Sequence, residues 1–195
     1  MAEDKRTPIV NVEKLTMWKL LTDEETAPTY DEAVKFGKIL MTAKDTPSTA
    51  NAELYGDGEK TDEAFENTGG AIEFGIHGLN SSDRTLIYGE HIKKGTNVTA
   101  KYDTPNYVCV AIMSKRGDKL YNLKKYVKCI FMPSEESETQ TEKGGIKYST
   151  TTIKGTYSPL LSTTEAKFVR YGVDPVTDAE IINKWFTDAL YIGPD

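Results

Sequence analysis

Two histidines, two cysteines and thirty carboxylates are the side chains from which this chain would have to build a catalytic or metal site. Neither His77 nor His91 has a cysteine or carboxylate at the short spacing that a tetrahedral metal site uses. Asp57, Glu59 and Glu63 loosely follow a calcium loop, but the tight-turn glycine and the closing glutamate fall out of place. Cys109 and Cys129 lie in apolar, strand-like runs and read as small buried hydrophobes. With a turn at Gly117-Asp118, Cys109 falls near Lys125 or Tyr126, so the two sulfurs are not cross-strand partners and a disulfide is unneeded. No glycine-rich phosphate loop and no local serine–histidine or cysteine–histidine signature is present. The acidic stretches are rich in carboxylates, yet nothing around them supplies the low dielectric that would tune a general acid or base. The expectation is a protein without catalysis, cofactor or metal. Arg116-Gly117-Asp118 matches an adhesion tripeptide but reads as a hairpin turn, and the sequons at Asn80 and Asn97 read as empty, because no secretion signal opens the chain.

The elements behind these residues are mostly strands. Ala71-Ile72-Glu73-Phe74-Gly75-Ile76-His77 alternates with a period of two, placing Ile72, Phe74 and Ile76 on one face. Asn80-Ser81-Ser82-Asp83 then offers side-chain oxygens to a helix start, and Gly89 closes a helix predicted over residues 81–88. Two turns cannot stand alone, so Leu86 and Ile87 are expected to lie on the sheet. Residues 95–102 alternate as a further half-buried strand. Residues 107–113 are apolar on both faces, as in a central strand, and turn at Gly117 into residues 121–131, with one face expected in the core and the other wet.

Upstream, residues 9–21 read as a strand in which Val10 and Val12 share a face that Thr16, Trp18 and Leu20 continue. Lys14 falls on that same face, which a bulge or a sheet edge would excuse. Residues 22–31 have loop composition, and a second strand is expected over residues 36–43. Residues 44–70 read as a long acidic loop with a short strand candidate at residues 50–55; a loop of that length is mobile or used for something. Residues 134–145 form a second acidic loop, and residues 146–157 a threonine-rich strand, polar on both faces and suited to edge pairing. At the end, Thr177 with Glu180 fits a capping box before an apolar stripe of Ile181, Ile182, Trp185, Phe186, Ala189 and Leu190, so a helix is predicted over residues 177–190.

The fold class is therefore mainly β, with one short flanking helix and a C-terminal helix. At 195 residues one core is expected, with residues 1–160 as the β domain and residues 161–195 as a C-terminal extension of the same domain or an arm between subunits. The net charge of −6 argues against a sequence-blind grip on nucleic acid. No stretch approaches the apolar length of a membrane span, so synthesis in cytoplasm is expected.

The order of these segments resembles the major tail proteins of long, flexible-tailed bacteriophages, the tube-forming proteins of siphophages from low-GC Gram-positive hosts. The resemblance is carried over residues 36–157 by Ala52-Glu53-Leu54-Tyr55-Gly56-Asp57, Gly70-Ala71-Ile72-Glu73-Phe74-Gly75 with its capped helix and Tyr88-Gly89, Tyr107-Val108-Cys109-Val110-Ala111, the Arg116-Gly117-Asp118-Lys119 turn, Tyr126-Val127-Lys128-Cys129-Ile130-Phe131, and Thr150-Thr151-Thr152-Ile153-Lys154-Gly155. It implies a β-sandwich or partly closed barrel with a helix on its flank, assembling into hexameric rings stacked into a hollow tail tube of the virion that conducts DNA at ejection. It also implies contact with a tape-measure protein inside, a terminator protein at the head end and a distal tail or baseplate protein at the tip. A ring of six such chains would carry about −36, a lumen that lets DNA slide. Asp57, Glu59, Asp62, Glu63 and Phe65 of the acidic loop, with Trp185 and Phe186 of the last helix, are the residues expected at subunit contacts. The alternative reading is a monomeric β-barrel that binds a small ligand or carbohydrate against its tyrosines; a hydrolase ranks third.

Overall fold

A computed structural model describes residues 7–56, 59–133 and 150–194. Its strands are β1 (Ile9–Asp23), β2 (Pro28–Tyr30), β3 (Val34–Lys35), β4 (Leu40–Gly56), β5 (Glu59–Ile76), β6 (His91–Lys93), β7 (Thr96–Val98), β8 (Tyr107–Arg116), β9 (Tyr121–Met132), β10 (Thr151–Tyr157) and β11 (Lys167–Val173). Two helices, α1 (Ser81–Tyr88) and α2 (Ala179–Trp185), complete the set. The fold is mainly β with these two helices, as expected, and its large antiparallel sheet is not closed into a barrel. The sheet runs β2-β1-β8-β9-β10-β5-β4, with β11 on β9 and β3 on β1.

Each face of the sheet carries its own core. Ile72, Phe74 and Ile76 of β5 point into the first, with Val108, Val110 and Ile112 of β8, Phe131, and Ile87 from α1. Cys109, Ala111 and Met113 point the other way, into a second core closed by Trp18, Leu123, Ile182, Trp185 and Phe186. This is why β8 is apolar on both faces. The cysteines sit in different cores, with Cys129 opposite Val108, and both are free and buried.

The α1 reading holds in detail. Asn80 caps the backbone of Asp83 and Asp83 caps Asn80 in return, while Gly89 takes the left-handed conformation that ends the helix. The lysine at position 14 is also explained: its φ is 51°, and the register with β8 shifts between Glu13 and Thr16, the signature of a bulge. The extra residue flips the strand's parity. Leu15 and Met17 consequently join the first core with Val12, while Trp18 faces the second, so Thr16, Trp18 and Leu20 do not continue the Val12 face as expected.

Other expectations are corrected. Residues 44–70 are not a loop: β4 and β5 stay paired from Leu40 to Gly56, because backbone pairing carries on through three register shifts even where side chains bury nothing. Residues 95–102 hold only the three-residue β7, paired with β6. The described part of the threonine-rich strand, β10, is no edge, since β5 and β9 flank it and Ile153, Gly155 and Tyr157 are buried. On β9 the supposed wet face is only partly so: Asn122 and Tyr126 are buried while Lys124 and Lys128 are half-buried, and a bulge near Val127 changes the parity, so that Leu123 faces the second core but Tyr126, Cys129 and Phe131 the first. The predicted Thr177 capping box does not form. Thr177 donates its backbone N–H to Asp174 Oδ1, and α2 starts two residues later with no side-chain cap. The acidic loop at residues 134–145 and residues 146–149 lie outside the described residues.

Candidate assembly surfaces

The distal halves of β4 and β5 form an arm. From Ser48 onward β4 is exposed wherever its side chains are described, as are Lys60 to Thr68 on β5, and the arm's length, at about 3.3 Å per residue, is roughly 30 Å. Its root is narrow and specific. Gly69 has a φ of 113°, and a side chain there would collide with the Tyr157 carbonyl; one on Gly70 would meet the Thr46 carbonyl at 2.6 Å. The arm thus leaves the body across two glycines laid against Tyr157.

The arm has two unlike faces. Cross-strand partners share a face, so Asn51 with Phe65 and Glu53 with Glu63 lie on one side. There Lys60 Nζ donates to Glu53 Oε1 at 2.8 Å and to Glu63 Oε2 at 2.6 Å, and these bonds raise its pKa. Ala50 with Glu66, Ala52 with Ala64, and Leu54 with Asp62 lie on the other side. Among the described residues no cation pairs with Asp62 or Glu66. Asp62 and Glu63 therefore belong to opposite faces of the arm, and Phe65, 67% exposed, projects with Glu63. Asp57 lies outside the described residues, and of Glu59 only the backbone, opposite Gly56, is described.

Trp185 and Phe186 are elsewhere. They are 1% and 5% exposed and belong to the chain's own second core, which buries Trp185 and leaves only an edge of Phe186 facing a surface groove. What holds them there is a residue that sequence reasoning passed over. Lys125 is fully buried, and its Nζ donates to the carbonyls of Asp188 and Tyr191, both at 2.8 Å. It lies 4.8 Å from the Trp185 ring centre and 5.6 Å from that of Trp18. Burial lowers its pKa to about 8, opposed by Cys109 and Asp188. The available signal was its parity: Lys125 alternates with Tyr121 and Leu123 on what otherwise reads as an apolar face.

Two strand edges are open among the described residues. β4 pairs only with β5 along its length, and residues 9–13 of β1 pair only with β8. Beside the second edge the Lys14 bulge, the turn after β3 and α2 enclose a groove of about 310 Å³. Its floor includes Leu15, Ile182 and Phe186, and Lys14, Lys35 and Lys38 line it. The groove continues past Lys14 between Asn11, Glu13 and Leu40 without strand pairing.

No cluster of three metal-ligating side chains occurs among the described residues, and burial pushes the Cys109 thiol up to about 12 and that of Cys129 well above its usual value. His91 Nε2 stands 3.4 Å from Asp103 Oδ1 at the surface. No described helix is long and apolar enough to cross a membrane.

The molecule is thus a mainly β protein with an open sheet, two opposed cores and a projecting hairpin. No protein-family model and no curated protein matches the chain. Among solved structures it is similar to a chain of the anti-feeding prophage baseplate, a six-fold symmetrised cryo-EM structure, at 12% identity and a TM-score of 0.38, over 84% of this chain and 96% of that one. A likeness at that level carries no argument about what this chain does.

Proposed function

We propose that this protein is a structural, non-enzymatic virion component that assembles into stacked hexameric rings, forming the tail tube through which a long-tailed phage ejects its DNA. The observation that carries the reading is the arm. An ordered hairpin that buries almost none of its side chains in its own chain gives up backbone entropy without a matching gain from burial, and a surface on a neighbouring subunit would supply that gain. The two open edges support the same reading, since an edge at each end of a sheet suits head-to-tail pairing around a closed ring. These edges, β4 and the start of β1, replace the threonine-rich strand as candidates for ring contacts. Asp62, Glu63 and Phe65 stay assigned to contacts between copies through the arm. The tape-measure, terminator and distal tail or baseplate proteins are the partners such a tube would require, with DNA passing unbound through an acidic lumen.

The test is light scattering over a concentration series followed by negative-stain microscopy. Rings or stacked tubes are expected from the intact protein. A variant in which residues 49–67 are replaced by Asn-Gly should keep its melting temperature and lose the tubes. A strict monomer at every concentration, with or without seed tubes, overturns the proposal.

A further inference from the structure

We infer that the groove beside Lys14 is a socket for the hairpin arm of a second copy of this chain, which enters with its Leu54, Asp62 and Glu66 face. The inference rests on the assembling role proposed above and names the receiving surface. Two independent patterns match. The groove has an apolar floor that includes Leu15, Ile182 and Phe186, and a rim of three exposed lysines, Lys14, Lys35 and Lys38. No carboxylate of the described residues forms an ion pair with any of the three. Lys14 Nζ lies 5.5 Å from the Phe186 ring centre, so the bulge carries its charge directly above the floor. One carboxylate, Glu13, stands where the groove runs on past Lys14, leaving the lysines in excess.

The arm presents the complement. On one face Leu54, 63% exposed, Ala52, Ala64 and Ala50 make a flat apolar stripe, with Asp62 opposite Leu54 and Glu66 opposite Ala50. On the opposite face one lysine, Lys60, pairs with both Glu53 and Glu63, leaving a single net negative charge there against the two of Asp62 and Glu66. Of the arm's two faces the Leu54 face therefore offers the larger uncompensated negative charge around an apolar centre, and the groove offers uncompensated positive charge around an apolar floor. Opposite charges at the rim of such a contact set register and partner, while the apolar centre supplies the affinity. Arm and groove lie on different parts of the molecule, so the contact is head-to-tail, and each copy both gives an arm and receives one.

A charge-swap experiment reads this directly. K35E/K38E reverses the socket, and D62K/E66K reverses the arm. All four side chains are exposed, and both variants are expected to melt like the parent. Each alone should raise the concentration needed for assembly by roughly tenfold or more, because like charges then meet. Mixed in equal amounts the two should co-assemble at the parent's concentration, since each arm finds a socket of opposite sign. Parent-like assembly of either variant alone overturns the socket and leaves the tube reading standing. Failure of the mixture to recover shows that arm and groove do not meet each other, and also overturns it. A parent protein that stays monomeric at every concentration overturns both.

Discussion

β4 and β5 belong to two different physical regimes along one pair of strands. In the body, Ile72, Phe74 and Ile76 are 1% exposed or less, and the strand pair is held by a core. Beyond the Gly69-Gly70 root the same hydrogen-bonded ladder continues with nothing buried beneath it. The body is stabilised by apolar burial, whereas the arm is held by cross-strand bonds and one lysine between two glutamates. Two lysines make the same contrast. Lys125 is sealed among tryptophans and secures the C-terminal segment, while Lys60 works in solvent. A part that contributes little to its own chain's stability is free to be shaped by what it touches outside.

The contrast predicts a gradient of mutational effects. Trp185→Ala opens the second core and should cost about 3–5 kcal/mol in denaturant unfolding. Trp185→Phe should cost clearly less, because the indole N–H has no hydrogen-bond partner among the described residues. Next comes the root. Gly69→Ala puts a side chain against the Tyr157 carbonyl at a positive φ and should cost about 1–3 kcal/mol, with faster amide exchange spreading from the root into the arm.

A smaller effect follows from Lys125. The unfolded lysine keeps its proton up to 10.5, and the folded one releases it at about 8. Between those values the unfolded state binds the extra proton, so raising the pH favours the fold, by up to about 1.4 kcal/mol per pH unit. Below pH 8 both states are protonated and the slope vanishes. Chemical denaturation from pH 7 to 9.5 should show this rise as a growing stability difference between the parent and Lys125→Met, because the raised thiols of Cys109 and Cys129 pull both proteins the other way above about pH 9. The smallest effect is at Lys60: Lys60→Ala should leave the melting temperature unchanged and speed amide exchange only in the arm. A large drop in melting temperature would erase the distinction between arm and body.

Much of the body was legible because its signals are local. The Asn80–Asp83 capping box spans one helical turn and the β8–β9 hairpin turns at Gly117, whereas Lys14 signalled an irregularity without revealing the change of parity its bulge makes. The arm was misread for a physical reason: alanines, glutamates and threonines without an apolar face give no period-two signal, although backbone pairing can continue through them. Among the expected contact residues, Asp62, Glu63 and Phe65 do lie together on the arm, but the assignment of the first two to opposite faces depends on a register that only the paired strands define. The lysine-rimmed groove was invisible, since Lys14, Lys35 and Phe186 come from distant parts of the chain.

By itself, the sequence determined the strand-rich class, the capped helix, the central hairpin and the lack of a recognisable catalytic motif. All of these depend on side chains a few positions apart. Tertiary structure alone decided which faces are covered. Lys125 is buried because carbonyls 63 and 66 positions away fold over it, and Trp185 is core because the last helix docks on its own sheet. Burial is a property of what arrives from elsewhere in the chain, and spacing along a strand cannot encode it.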